Sequence, residues 1–179
     1  MKVYLAHSIS TTGEFVDSKR VANNIRDIGY DVYVASENES INDKSNEPTP
    51  LDIYEGDINE IVGADIFVVN LSGGLQDGTI SEIGFVAGLN EVYRRLNYEY
   101  SVLKYRLYGG VELSIADIPI IAYTSNARLL QPQYSDGIPS ASANHLVKGM
   151  IDRWGEFVGD EEAMYRKLYE IKNGKEASK

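Results

Sequence analysis

Four short apolar runs, separated by stretches of helical character, constrain this chain more than any other feature. They are residues 2–6 (KVYLA), 31–35 (DVYVA), 65–70 (DIFVVN) and 118–123 (IPIIAY). Nearly continuous apolarity over so few residues marks strands buried on both faces, the condition of parallel sheets covered by helices. Between the first two runs, Phe15, Val16, Val21, Ile25 and Ile28 recur at near-helical spacing, and Gly29 follows as a suitable residue just past a helix end. This is a βαβ unit. Residues 36–50, polar and with two prolines, read as a surface loop. A short helix is expected over 51–65, with Ile53, Ile58, Ile61 and Val62 facing inward and Asp57 near its middle, and a longer helix from about Thr79. The expected fold is therefore α/β: a single-domain, doubly wound parallel sheet, flavodoxin-like or Rossmann-like. Ligands of such sheets lie beyond the carboxyl ends of the strands, so function belongs in the loops after residues 6, 35, 70 and 123.

Residues 91–117 place five of the chain's 13 tyrosines ahead of the fourth run. They are expected to form a Tyr-rich helical insertion, covering an apolar surface of the domain or forming a subunit interface, since each ring joins apolar area to a polar tip. Residues 160–179 read as a terminal helix that frays after Gly174.

Charge and composition remove several classes of function. With 27 acidic and 17 basic residues, the net charge of -10 disfavours nucleic-acid polymers and anionic membranes, while leaving room for a small nucleotide in a suitable pocket. There is no cysteine, hence no disulfide framework and no thiolate zinc site. The two histidines, His7 and His145, are too far apart to suggest metal-ligand spacing, and no cofactor is expected. "MKVYLAHSIS" turns polar too early for a signal peptide, and no later run has the length of a membrane span. A cytoplasmic protein is expected.

The chemistry concentrates in "VVNLSGGLQDGTISEIGFVAG", residues 68–88, where a buried strand breaks into a glycine-rich turn and resumes with one carboxylate, Glu82. Two readings compete for that carboxylate. Thr79-Ile80-Ser81-Glu82 fits a capping box, with Gly78 easing the helix entrance. Alternatively Glu82 joins Asp77 in the same loop, Asp57 on the preceding helix and Tyr4 on the first strand. A Tyr hydroxyl, two or three carboxylates and a helix N-terminus suit glycosidic bond cleavage, one carboxylate attacking the anomeric carbon while another group protonates the leaving group. The turn "HSIST", residues 7–11, offers hydroxyls and backbone N–H groups for a phosphate, or simply a helix cap at Ser10, Thr11 or Thr12. His7 is read either as a satisfied polar residue at a strand end or as an acid/base group.

"IYEGDINEIVGADIFVVNLSG…DGTISEIGFVAG" resembles the nucleoside 2-deoxyribosyltransferase family, whose pattern is an Asp, an "AD" entering a buried strand, a loop with Asp and Gly, and "E-x-G-x-A". "VYLAHSIS" is similar to that family's first strand, and the likeness resumes at "ANHLVKGMID". The resemblance implies Glu82 as the nucleophile that attacks C1′ and carries a covalent glycosyl intermediate. It implies that Tyr4 orients Glu82, that Asp57 lies near the nucleobase and aids the leaving nitrogen, and that Asp77 binds sugar hydroxyls. Asn144 resembles an asparagine supplied to the neighbouring subunit's site, which implies a homodimer or higher oligomer. The partners so implied are a nucleoside or nucleotide and a free base. Gln76 stands where the family has its loop acid, so Gln76, Asp77 and Gly78 together form the expected sugar-binding turn, with His7 and Ser8 also facing substrate. His7 replaces a residue that is commonly glycine in the family. A hydrolase acting on a nucleoside 5′-phosphate, an inactive nucleotide-binding or sensing module, and a plain interaction domain are the alternatives.

Overall fold

A computed structural model of the chain describes residues 1–43, 45, 47–72, 77–107, 117–126, 134–135, 138–139 and 144–176. Strands β1 (Lys2–Ala6), β2 (Asp31–Val34), β3 (Ile66–Asn70) and β4 (Ile120–Tyr123) fall within two residues of the runs expected to form them. Two residue pairs, β5 (Tyr134–Ser135) and β6 (Ile138–Pro139), make a separate antiparallel ribbon, and β7 (Gly155–Gly159) closes the main sheet. The main sheet is parallel throughout, in the order β2-β1-β3-β4-β7. This is the flavodoxin-like order, in which the chain winds outward in both directions from the boundary between β1 and β3.

Helices cover both faces. On one, α1 (Thr12–Asp27) and α6 (Glu161–Glu176) set Val21, Ile25, Met164 and Leu168 against Val3, Leu5, Val68 and Tyr123. On the other, α3 (Pro50–Val62), α4 (Asp77–Leu107) and α5 (His145–Trp154) set Ile61, Ile83, Val86, Val147 and Ile151 against Tyr4, Phe67 and Ile120. A one-turn helix, α2 (Glu39–Asn42), lies inside the stretch expected to be loop. Among the described residues, no helix is long and apolar enough to cross a membrane.

Local rules account for most boundaries. Thr11 and Glu14 close the start of α1 with a reciprocal capping box, and Thr49 with Asp52 does the same for α3, where Pro50 takes the first helical position. Gly29 follows α1 with φ +97, a left-handed conformation open to glycine at little cost. Three expectations need correction. Val16 and Val62 are 61% and 49% exposed, since each sits one position away from the buried stripe of its helix. The long helix begins at Asp77, two residues before Thr79. Strand β7 was not anticipated, because "GEFVG" has only two apolar residues and forms a largely exposed edge. Its Gly155 approaches Ile120 so closely that an added Cβ would lie 1.7 Å from the Ile120 carbonyl oxygen. The Tyr-rich stretch continues α4 as far as Leu107, and residues 108–116 lie outside the described residues.

Candidate active site

The parallel register aligns three aromatic residues. Tyr4 on β1 pairs with Tyr33 on β2 and with Phe67 on β3, so all three project from one face of the sheet. Their rings stack, Tyr4 to Tyr33 at 5.2 Å between centroids and Tyr4 to Phe67 at 5.5 Å. Stacking of this kind adds roughly 0.5–1.5 kcal/mol per pair beyond buried area and leaves each ring little freedom. The hydroxyls are thereby aimed. Tyr4 Oη donates to Glu82 Oε1 at 2.6 Å, and Tyr33 Oη donates to Asp57 Oδ1 at 2.8 Å. Asn38 Nδ2 donates in turn to Tyr33 Oη at 3.1 Å.

Two half-buried carboxyls thus stand over the sheet, each held by one phenol. Burial pushes Glu82 up to about 7; the Tyr4 hydrogen bond opposes the rise and the charge of Asp57 adds to it. Asp57 is also raised, by burial first, with Tyr33 opposing and Glu60 adding. Burial, followed by the charges of Glu82 and Asp57, raises the Tyr4 phenol far beyond physiological pH, so it remains a donor. Among the described residues, the Glu82 carboxylate is held through Oε1 by Tyr4, and no hydrogen bond holds Oε2.

The capping reading of Glu82 does not survive the helix boundary. Thr79 lies inside α4 and is buried, and the Glu82 carboxylate reaches across to β1 instead of back to its own backbone. Gly78 stands one turn earlier on the same face as Glu82, with open space where a side chain would begin. Asp77 is the first residue of α4 and is exposed; five helical positions place it about 140° round the axis from Glu82. Gln76 lies outside the described residues. Asn144 is exposed and caps α5, its side chain accepting from the Leu146 N–H at 2.8 Å.

His7 and Ser8 belong to a different place, on the α1 face of the carboxyl edge. The His7 side chain is buried; its Nδ1 lies 2.7 Å from the Ser8 carbonyl oxygen and its Nε2 lies 2.9 Å from Asn70 Nδ2. Asn70 Oδ1 accepts from the Ser72 N–H, and His7 Nε2 also lies 3.3 Å from Asp17 Oδ2. His7 is therefore a satisfied polar residue of the strand end. The turn that follows it is used for capping, by Thr11.

Sequence reasoning missed Tyr33 and Asn38. Among the described residues, no group of three His, Asp or Glu could hold a metal ion.

Fold and site together define an open α/β protein with a phenol-bonded pair of carboxyls beside the β1/β3 boundary of the β2-β1-β3-β4-β7 sheet. The chain belongs to the nucleoside 2-deoxyribosyltransferase family, whose sequence profile matches residues 3–107. No curated sequence matches it. Among solved structures, it is similar to a conserved protein from Enterococcus faecalis V583, with TM-score 0.69 and 20% identity over 96% of this chain and 98% of that one. It is also similar to the CMP N-glycosidase BcmB of Clostridium botulinum, with TM-score 0.52 and 13% identity over 94% and 97% of the two chains. These likenesses establish the fold.

Proposed function

We propose that the chain cleaves the N-glycosidic bond of a nucleoside and passes the sugar to a second base by double displacement at Glu82. Glu82 Oε2 attacks C1′ as the C1′–N bond breaks; the departing base takes the bonding pair and a proton from the Asp57 carboxyl. The sugar is then held as an ester on Glu82. A nitrogen of the incoming base attacks C1′ from the opposite side, Asp57 recovers the proton, and Glu82 is released with the configuration retained overall. Tyr4 aims the carboxylate throughout. Asp77, with Gln76 and Gly78 in the same turn, binds sugar hydroxyls. Asn144 enters the site of a neighbouring subunit, so the working form is a homo-oligomer; its exposure, next to a Leu146 that is 72% exposed, supports this. The whole chain acts as one domain, the Tyr-rich stretch at 91–117 being an elaboration of it.

The observation that carries the reading is the 2.6 Å bond from Tyr4 to a Glu82 whose other oxygen has no hydrogen bond among the described residues, with Asp57 close enough for its charge to act on it. Family membership independently supports nucleoside chemistry. The test is to incubate the protein with a 2′-deoxynucleoside and a different free base, and to separate the products by chromatography. A new nucleoside is expected. Free sugar alone would make the chain a hydrolase, with water as second acceptor, and neither product would overturn the reading in favour of a binding or sensing role.

A further inference from the structure

Asp57 stands at the end of a chain of hydrogen bonds whose direction can be read at each link. The chain starts at Asn38, which caps α2 just after β2. Asn38 Oδ1 lies 3.1 Å from the Ser40 backbone nitrogen and 2.6 Å from the Ser40 hydroxyl. A backbone N–H only donates, so the amide oxygen faces Ser40 and the NH2 group faces Tyr33. Asn38 Nδ2 donates to Tyr33 Oη at 3.1 Å. An amide NH2 accepts nothing in return, and a phenol has a single hydrogen. The Tyr33 hydrogen therefore goes to Asp57 Oδ1, 2.8 Å away. Both ends of this relay are anchored. The Asn38 carbonyl accepts from the Asn42 N–H at 3.0 Å and from Asn42 Nδ2 at 2.9 Å, while the Tyr33 ring is stacked on Tyr4.

That direction decides where an acid hydrogen can sit. A protonated carboxyl accepts best at its carbonyl oxygen, so a donor fixed on Oδ1 leaves the hydrogen of Asp57 on Oδ2. Without Asn38, the Tyr33 hydroxyl is free to rotate and accept from Asp57, which turns the acid hydrogen toward the phenol. The other titratable groups that face Asp57 are Glu60 on α3, itself paired with Lys2, Glu82 on α4 and Tyr4 on β1. Among the described residues, none of these hydrogen-bonds to Asp57, and Tyr4 donates to Glu82 instead. Burial raises the Tyr33 phenol above its ordinary range, with the Asn38 bond opposing and Asp57 adding to the rise, so Tyr33 keeps its own hydrogen.

Resting on the proposed activity, we infer that Asn38 is a positioning residue, which by donating to Tyr33 fixes the phenolic hydrogen on Asp57 Oδ1 and so presents the acid proton to the leaving base on Oδ2. As the C1′–N bond breaks, its electron pair stays with the base and the Oδ2 hydrogen moves to the leaving nitrogen. The new Asp57 carboxylate is met by a hydrogen bond already in place, which strengthens as the charge develops. Tyr33 transfers no proton. Asn38 acts through Tyr33 and does not touch the substrate.

The test is Asn38→Ser, which keeps an oxygen to cap α2 and removes the amide donor, made both in the wild-type protein and in Tyr33→Phe. Asn38→Thr is the second variant, and each protein is checked for folding by thermal melt. With a 2′-deoxynucleoside and a different free base, Asn38→Ser is expected to lower kcat by about fivefold, to leave KM within about twofold, and to move the acid limb of the pH profile to higher pH. In the Tyr33→Phe background the same change should alter neither kcat nor the limb. An unchanged kcat and limb, an equal fall in both backgrounds, or a rise in KM alone, which would set Asn38 against the base, overturns the inference while the proposed activity stands. If the wild-type protein turns over no nucleoside, the activity reading fails, and carbon NMR titration of the Asp57 carboxyl, assigned by its loss in Asp57→Asn, decides the relay. A midpoint raised by Asn38→Ser only where Tyr33 is present upholds it; no change, or the same change in Tyr33→Phe, overturns it.

Discussion

The proposed double displacement requires Glu82 and Asp57 to hold opposite protonation states when the glycosidic bond breaks, one ionised to attack and the other protonated to release the base. The working form therefore carries one proton shared across the pair. Since burial and Asp57 push Glu82 to about 7, the pair loses that proton near about 7, and kcat/KM should fall above it. On the acid side the rate should fall as both carboxyls become protonated, giving a bell-shaped profile. Tyr33 sets the acid limb. Its hydrogen bond lowers the Asp57 pKa, so Tyr33→Phe should move the acid limb to higher pH and reduce kcat by about tenfold, with little change in thermal stability. Asp57→Asn should leave a slow rate that simply rises with pH as Glu82 ionises. Steady-state rates across the pH range distinguish these outcomes, and an unchanged acid limb in Tyr33→Phe would remove that residue from the account.

At the scale of elements, α4 must hold Glu82 in register with Tyr4, and a buried amide anchors it. Asn90, fully buried, donates from Nδ2 to the Ile118 carbonyl at 2.8 Å and accepts from the Ile118 N–H at 2.9 Å, tying α4 to the entry of β4. Asn90→Ala leaves both backbone groups buried without partners, so thermal or denaturant unfolding should show a loss of about 2–4 kcal/mol. A loss under about 0.5 kcal/mol would mean that this tie does not anchor the helix. Element type was legible wherever burial was two-sided, as in β1 to β4, because apolar runs bounded by turns leave few alternatives. β7 was hidden, since an exposed edge strand of two apolar residues between glycines has no such signature. The Glu82–Tyr4–Asp57 group was reached through the motif order, whereas Tyr33 required register. "KVY" and "DVY" place a tyrosine third in each of two strands, but only parallel pairing without offset brings them together. The capping pattern at Thr79 misled because the local signal cannot report that α4 starts at Asp77.

For the whole molecule, a raised carboxyl pKa is a stability cost at neutral pH. The fold prefers Glu82 protonated, so its contribution is full below the ordinary carboxyl range and is lost as pH rises through about 7. Glu82→Gln keeps an acceptor for Tyr4 without the charge and should be more stable than wild type at alkaline pH, by on the order of 2 kcal/mol, with the difference vanishing at acid pH. Equal stability of the two proteins at all pH values would contradict the buried-carboxyl assignment. Strain of this kind is retained where function requires the group. The most direct test of that function is the mass of the peptide containing Glu82 after rapid acid quench of the protein with a 2′-deoxynucleoside and no acceptor base. The account predicts a gain of one dehydrated deoxyribose on that peptide, absent in Glu82→Gln. An unmodified peptide throughout turnover, with Glu82→Gln as active as wild type, would contradict it.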